Sequence, residues 1–580
     1  MRGPLALILI ITLSSCGRET PGDTQQAADL ILSNARVYTL DWPDPAVDGT
    51  VHANAPWRDG WHPDAEAVAI RGDTILLAGS EEAVAELRGA GTRVIDLQGA
   101  TVLPGLVDSH THVFQLGLSL SRVNLYDVET EEEAVARVAE RARQVPAGQW
   151  IVGQGWDEGR WADRYPDKTL LTEAVPDHPV FMRSLHSFAG WVNQMALDRA
   201  GITRDTPVPE GGEIYRDADG EPSGLFLNRA VPLVENAIPP LDEAGARRNV
   251  LAALRQMAAD GYVTVHDAGL NAREMAILEA LEAEGALPVR VYAMLSVRDE
   301  ALSEAWLERG PDTDADSFLV TRSVKAFYDG ALGSRGARLL ADYSDRPGHR
   351  GVSGSNYGFN EALTERLMRA GFQVGIHAIG DAGNRETLDF IARVAETDAS
   401  QLQSRHRIEH AQVFHPLDFS RPAELGLVLS MQPPHAVEDK LWAFQRLGAL
   451  RIRGAYAWRG LREAGADIIF NADNPGSDHS IFYGMHAGLT RRDKAREPAA
   501  GWYPAEAFGV DEVVRAYTRW PAFAAFRETY TGVVKPGMWA DLTVLDIDPF
   551  TLSETEPGAI LDGKVLMTLV AGEVVADNRR

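Results

Sequence analysis

The stretch Leu103-Pro-Gly-Leu-Val-Asp-Ser-His-Thr-His112 decides the reading of this chain. An apolar run ends in His110 and His112, with Asp108 beside them. Residues two apart on a strand face the same side. Both imidazoles can therefore reach one metal ion from a single strand end. Surface histidines two apart also occur by chance. What separates this pair from those is its context: Pro104-Gly105 before the strand, and further histidines at later strand ends.

Downstream, strand-like and helix-like segments alternate, the pattern of a βα architecture. With residues 106–108 as the first strand, seven more runs read as strands: 263–267, 289–294, 324–328, 373–377, 407–410, 427–431 and 468–471. Helical patterns separate most of them, such as 361–370 and 385–395. Eight such units predict an α/β fold, a closed (β/α)8 TIM-type barrel. The gap after the first strand is far too long for one helix. Residues of about 113–260 must hold an inserted subdomain, rich in Trp, Pro and Gly, over the barrel mouth.

The two chain ends are β-rich. Residues 30–39, 93–97 and 101–103 read as strands, and 67–77 as a hairpin turning at Gly72-Asp73. Residues 542–546, 565–570 and 573–575 look similar. Each end alone makes a very small module, so one small β-sandwich built from both ends is expected. The expected organisation is a signal segment (1–16), a tether (17–27), the first part of the sandwich (28–104), the barrel (105–530) and the rest of the sandwich (531–580). A chain of 580 residues is too long for one compact core, which agrees with several units.

The net charge of −27 argues against nucleic acid and anionic membrane as electrostatic partners. Membrane contact is expected only through the N-terminus. Arg2 supplies a positive start and residues 5–13 a short apolar run. Leu13-Ser14-Ser15-Cys16 follows, and Cys16 is the single cysteine of the chain. This resembles the lipobox of bacterial lipoproteins. It implies lipidation at Cys16 and an exported protein anchored in the cell envelope, with Gly17 leaning towards the outer membrane. The alternative is an ordinary secretory signal. With one cysteine there is no internal disulfide.

The polar residues at the strand ends form a set: His110, His112, Lys325, His377, His410 and Asp473. Active residues gather at the C-terminal strand ends of such barrels. Four imidazoles, a carboxylate and a lysine suit one or two zinc ions.

This ordered set resembles the amidohydrolase superfamily of metal-dependent hydrolases. Further phrases narrow the resemblance to amidohydrolase family 3, the YtcJ-like branch. They include Pro176-Asp-His-Pro-Val180, Val324-Lys-Ala-Phe-Tyr-Asp-Gly330, Ile376-His-Ala-Ile-Gly-Asp381, Arg407-Ile-Glu-His-Ala-Gln412, Val428-Leu-Ser-Met-Gln-Pro433 and Lys535-Pro-Gly-Met-Trp-Ala-Asp541. The family's usual Gly-Ser-Asp reads Asn471-Ala-Asp473 here, with Asp478 close behind as the alternative carboxylate. The resemblance implies that His110, His112 and Asp473 hold the more buried ion. His377 and His410 hold a second, or one of them completes a single-ion site. Lys325 is either carbamylated and bridging, or paired with a carboxylate such as Asp329. Asp473, His410 and His377 are the implied catalytic residues: zinc-activated hydroxide attacks the carbonyl carbon, and Asp473 carries the proton to the leaving nitrogen.

His186 in the insertion either faces the substrate, as the family implies, or is structural. His435 is a candidate pocket residue. Trp156, Trp161 and Trp191 either wall a pocket or form local core. His266-Asp267 reads as a supporting pair or core, and Asp381 as a group that orients backbone near His377. The expected function is hydrolysis of a non-peptide C–N bond in an N-acyl or cyclic amide, a small-molecule substrate. A deaminase attacking an amidine-type carbon needs the same ligands, and a non-catalytic binding lipoprotein is the third reading. A homodimer is expected by family analogy alone.

Overall fold

The computed structural model of the protein describes residues 27–126, 128–156, 165–184, 189–314 and 316–579. Cys16, Trp161 and His186 lie outside the described residues.

The centre is an eight-stranded parallel sheet. Its strands are β1 (Leu106–Thr111), β2 (Tyr262–Leu270), β3 (Arg290–Ser296), β4 (Leu319–Phe327), β5 (Gln373–Ala378), β6 (Arg407–His410), β7 (Val428–Met431) and β8 (Asp467–Phe470). Each pairs with its sequence neighbour. A parallel bridge between Thr111 and Asn474 joins the first strand to the segment after the last. There His112 N–H donates to the Asn474 carbonyl (2.8 Å), and Ser109 Oγ donates to the Phe470 carbonyl (2.9 Å). The eight strands coincide with the eight expected runs. The reason is burial on both faces: every residue of β1 and β3 is buried. Such strands read as continuous apolar runs instead of alternating ones.

The segment between β1 and β2 holds a six-stranded mixed sheet with its own core. Trp156 belongs to that core. It is fully buried, its ring lies edge-on to Trp191 at 6.2 Å, and its Nε1 donates to the Met182 carbonyl (2.9 Å).

Both chain ends build the β domain. Arg36–Val37 and Thr101–Pro104 share a five-stranded sheet with Leu542–Leu545, Val565–Val570 and Glu573–Asp577. A second, four-stranded sheet comes from the N-terminal part alone, and includes the hairpin Ala67–Arg71 and Thr74–Gly79. Its turn is bonded to the C-terminal segment through Ile75 N–H to the Met538 carbonyl (2.8 Å) and Ala540 N–H to the Asp73 carbonyl (2.7 Å).

This domain docks on the N-terminal strand ends of the barrel. Gly105 N–H donates to the Asp541 carbonyl (2.8 Å), and Thr543 Oγ1 donates to the Gly261 carbonyl (2.7 Å). Arg290, the first residue of β3, is buried against Asp541 with Nε 2.8 Å from Oδ2. Its guanidinium also stacks on Trp539 at 3.7 Å. The opposite end of the barrel stays available for chemistry. No helix among the described residues is long and apolar enough to cross a membrane.

Removing one partner of a buried ion pair leaves the other charge uncompensated. Asp541→Ala is therefore expected to lower stability by about 3–5 kcal/mol, seen as an earlier unfolding transition in a denaturant titration.

Candidate metal centre

Six polar side chains from the ends of five strands, His110 and His112 sharing one, converge at the C-terminal end of the barrel. Asp473 is central. Its Oδ1 lies 3.3 Å from His112 Nε2 and 3.5 Å from His110 Nε2. Two groups of donors lie within 4.8 Å of one another and can hold a cation: His110, His112 and Asp473, and His410, His435 and Asp473. Lys325 Nζ is 3.1 Å from His110 Nε2. The His377 ring centroid is 4.4 Å from that of His410, but His377 belongs to neither donor group. Asp478 is paired with Lys494 instead, so Asp473 supplies the carboxylate.

Local backbone geometry makes this convergence possible. His410 follows Glu409 directly, so strand alternation would send their side chains to opposite faces. His410 instead has φ of 75°, and Asp473 has φ of 53°. Left-handed backbone is uncommon for such residues and collects at functional sites. It lets both Glu409 and His410 reach the same cluster.

A second layer fixes the imidazoles. Glu409 Oε2 lies 2.5 Å from His110 Nδ1, which leaves Nε2 facing Asp473 and Lys325. Arg407 backs Glu409, with Nε 2.7 Å from Oε1 and Nη2 3.1 Å from Oε2. The same guanidinium donates to the Ser109 carbonyl (2.6 Å), Ser430 Oγ (3.2 Å) and His266 Nδ1 (3.0 Å). His266 thus supports the centre through Arg407. Asp267 accepts from Val113 N–H (3.1 Å), beside His112. Gln432 Oε1 lies 3.0 Å from His410 Nδ1, and Gln432 Nε2 donates to Asn471 Oδ1 (2.9 Å). Asp329 does not pair with Lys325. It accepts backbone N–H groups of Arg338, Ile379 and Gly380 at 2.8–2.9 Å and so holds the loop after His377. Asp381 likewise accepts from Leu340 N–H (2.9 Å).

Burial sets the charge states. It pushes the imidazole of His110 down to about 4 and that of His377 to about 3, with the Lys325 charge adding to both. His410 is also held well below its usual value by burial and by His377. Neutral imidazoles carry the free lone pairs that a cation needs. Burial lowers the Lys325 amine to about 8. Asp473 and Glu409 resist the upward push of burial. Neighbouring histidines hold the first well below the usual carboxylate range, and Arg407 and His110 do so for the second. Among the imidazoles His112, bonded to Asp473, is the exception, with its pKa raised although burial pulls it down. Convergent imidazoles beside an ionised carboxylate, fixed from behind, fit a divalent metal ion.

The centre forms the floor of a cavity of about 440 Å3. Phe327, Leu332, Ile379 and Trp442 give it apolar walls, while Gln412, His435, Glu438 and Asp439 form a polar side. No described residue of the insertion lines it, and Trp156 is absent from its walls. Glu409, Arg407 and Gln432 lay inside recognised phrases without a role. The signal was the two-residue spacing of Arg407 and Glu409, a charged pair in an otherwise buried strand.

The chain belongs to the amidohydrolase family, whose family model matches residues 93–576. It is a metal-dependent hydrolase of carbon–nitrogen bonds other than peptide bonds. It is 31% identical to the amidohydrolase YtcJ of Bacillus subtilis (strain 168), covering 88% of this chain and 96% of that one. It is 28% identical to the N-substituted formamide deformylase of Arthrobacter pascens, covering 94% and 98%. Among solved structures, a metal-dependent hydrolase from Pyrococcus furiosus superposes with a TM-score of 0.68 at 26% identity, covering 90% and 99%.

Glu409→Gln keeps the shape but removes the charge behind His110. Metal affinity should fall about 10–100-fold, measured by competition with a chelator on folded protein.

Proposed function

We propose that this protein is a zinc hydrolase that cleaves small N-acyl or cyclic amides. One observation carries the reading: two donor groups share Asp473 at the floor of a cavity with apolar walls. His110, His112 and Asp473 would hold one ion, and His410 would help to hold a second. Imidazole and carboxylate donors suit zinc. Bound there, zinc supplies a water whose pKa is lowered to about 7.

The protein's own groups do the rest. Asp473 is ionised and within reach of both histidine pairs, so it takes the proton from the attacking water and returns it to the leaving nitrogen. The walls around Phe327, Ile379 and Trp442 receive an apolar substituent and limit water around the scissile bond. The kinship with an N-substituted formamide deformylase favours an acyl group small enough to sit on the polar floor. Lys325 is buried and has a depressed pKa, so its neutral amine is accessible near neutral pH and can add CO2 to give an anionic carbamate. The N-terminal phrase ending in Cys16 supports a lipid anchor in the bacterial envelope.

Incubation with N-substituted formamides and cyclic amides should release an amine and a carboxylate. Ammonia as the sole nitrogen product would replace this reading with deamination. Asp473→Asn should lower kcat by about 10²–10⁴-fold at saturating zinc. Cys16→Ala should move the expressed protein from the membrane fraction to the soluble one and abolish labelling by radioactive palmitate.

A further inference from the structure

Two carboxylates stand on the cavity wall without a cation to balance them. Glu438 and Asp439 both line the cavity, and they are the last two residues of the helix Pro433–Asp439, directly after β7. The C-terminal end of a helix carries a negative partial charge, so acidic residues there cost stability unless a cation offsets them. The cations nearby are engaged elsewhere. Lys440 pairs with Asp493 and donates to the Glu497 carbonyl (2.7 Å). Arg446, 5.6 Å from the centre of the Trp442 ring, pairs with Asp345 and donates to the Gly333 carbonyl (3.1 Å). Lys494, over the Tyr483 ring at 5.0 Å, pairs with Asp478. Apart from Lys325, no lysine or arginine among the described residues lines the cavity, and Lys325 lies on its floor beside His110. The donors that do reach the two carboxylates are neutral. Asp439 accepts from Gln412 Nε2 (3.0 Å) and from the Tyr456 hydroxyl (2.5 Å), and so ties the segment after β6 to Tyr456. Glu438 accepts from Ser477 Oγ (2.8 Å) and is bonded to the Tyr483 hydroxyl. Such bonds orient a carboxylate without cancelling its charge. Burial raises the Asp439 carboxyl above its usual value and the Glu438 charge adds to this, while His435 opposes it.

We propose that Glu438 selects amide substrates whose substituent ends in a cation, an ammonium or guanidinium group carried on an apolar stem. The proposal rests on the hydrolase reading above and narrows its substrate class. The scissile carbonyl lies over the polar floor, and the stem runs along Phe327, Ile379 and Trp442. The charged end then meets Glu438, the carboxylate that only hydroxyl groups hold in place. A long side chain with an apolar stem and a charged tip fits such a surface, since each part finds its own kind of partner. A bond between two charged groups is stronger than one between neutral groups, and a site built for it rejects an analogue that lacks the charge. Specificity pockets combine apolar walls with a few placed polar groups in the same way. An anionic substituent would meet repulsion from both carboxylates.

The test compares three formamides of similar length on zinc-loaded protein: N-(aminobutyl)formamide, N-pentylformamide and N-(carboxybutyl)formamide. For the wild type, kcat/KM should be about 10–100-fold higher for the ammonium compound than for the neutral one, and lowest for the carboxylate. Glu438 is half-buried, and Glu438→Gln keeps its shape and an oxygen for Ser477, so the fold should tolerate the change. That variant should lower the ratio of cationic to neutral turnover about tenfold or more. The loss should fall on KM, because the contact is remote from the reacting atoms and is made equally before and in the transition state. Glu438→Lys should make the carboxylate compound the preferred one. A wild type that does not prefer the cation, or a smaller fall in Glu438→Gln, would overturn the proposal and leave the hydrolase reading intact. A preference that high salt removes and Glu438→Gln retains would be steering by the net charge of −27, and would overturn it too. No turnover of any of the three would bring down both.

Discussion

The contact between Glu409 and His110 governs the rest of the centre. A buried carboxylate is tolerated only when its charge is compensated and its oxygens are bonded. Arg407 does both, and in doing so it reaches β1, β2 and β7 through Ser109, His266 and Ser430. The ion pair that aims the His110 imidazole is thus also a brace across the barrel interior. Breaking it would disturb the ligand and the packing together, because buried charged pairs cost several kcal/mol when one partner is lost.

That brace exists because the two barrel ends are specialised differently. At the N-terminal strand ends, Arg290 and Asp541 lock the composite β domain to the barrel, with Trp539 stacked on the guanidinium. At the C-terminal ends, Nε2 of His110 and the His377 ring face a cavity. Burial keeps these rings neutral, and the unpartnered Nε2 of His377 has its lone pair to offer.

The barrel was legible because its strands are buried on both faces and so appear as short apolar runs between helical segments. The residues that gather at the cavity were legible as polar positions at the ends of those runs. The composite β domain followed from two β-rich ends, each too small to stand alone. Less visible was anything that depends on three-dimensional pairing. Arg407 and Glu409 share a strand with His410, and no spacing reveals that their partners are His266 and His110, on strands distant in sequence. Alternation alone would even have separated Glu409 from His410, since the left-handed turn at His410 has no mark in the residue type. Trp156 has the composition of a pocket wall, yet the insertion folds its own core and uses the indole there. His435 carries no motif of its own. Its place beside His410 comes from a helix that starts at once after β7.

Lys325 shows how charge state and architecture are coupled. Its Nζ lies 3.1 Å from His110 Nε2, a nitrogen that also faces Asp473. An ammonium there bonds to the same lone pair that a cation would use, and it repels that cation. A neutral amine, or its carbamate, does neither. Burial is what shifts the balance, since it lowers the amine to about 8 while Glu409 and Asp473 pull it upward. The carboxylates that make the centre attractive to metal therefore also favour the lysine form that opposes metal. The dry interior near the end of β4 offsets them most, with the charges of Arg407 and Arg298 adding to it. A more open barrel mouth, with water reaching β4, would restore the charged lysine and weaken the centre without altering a single ligand.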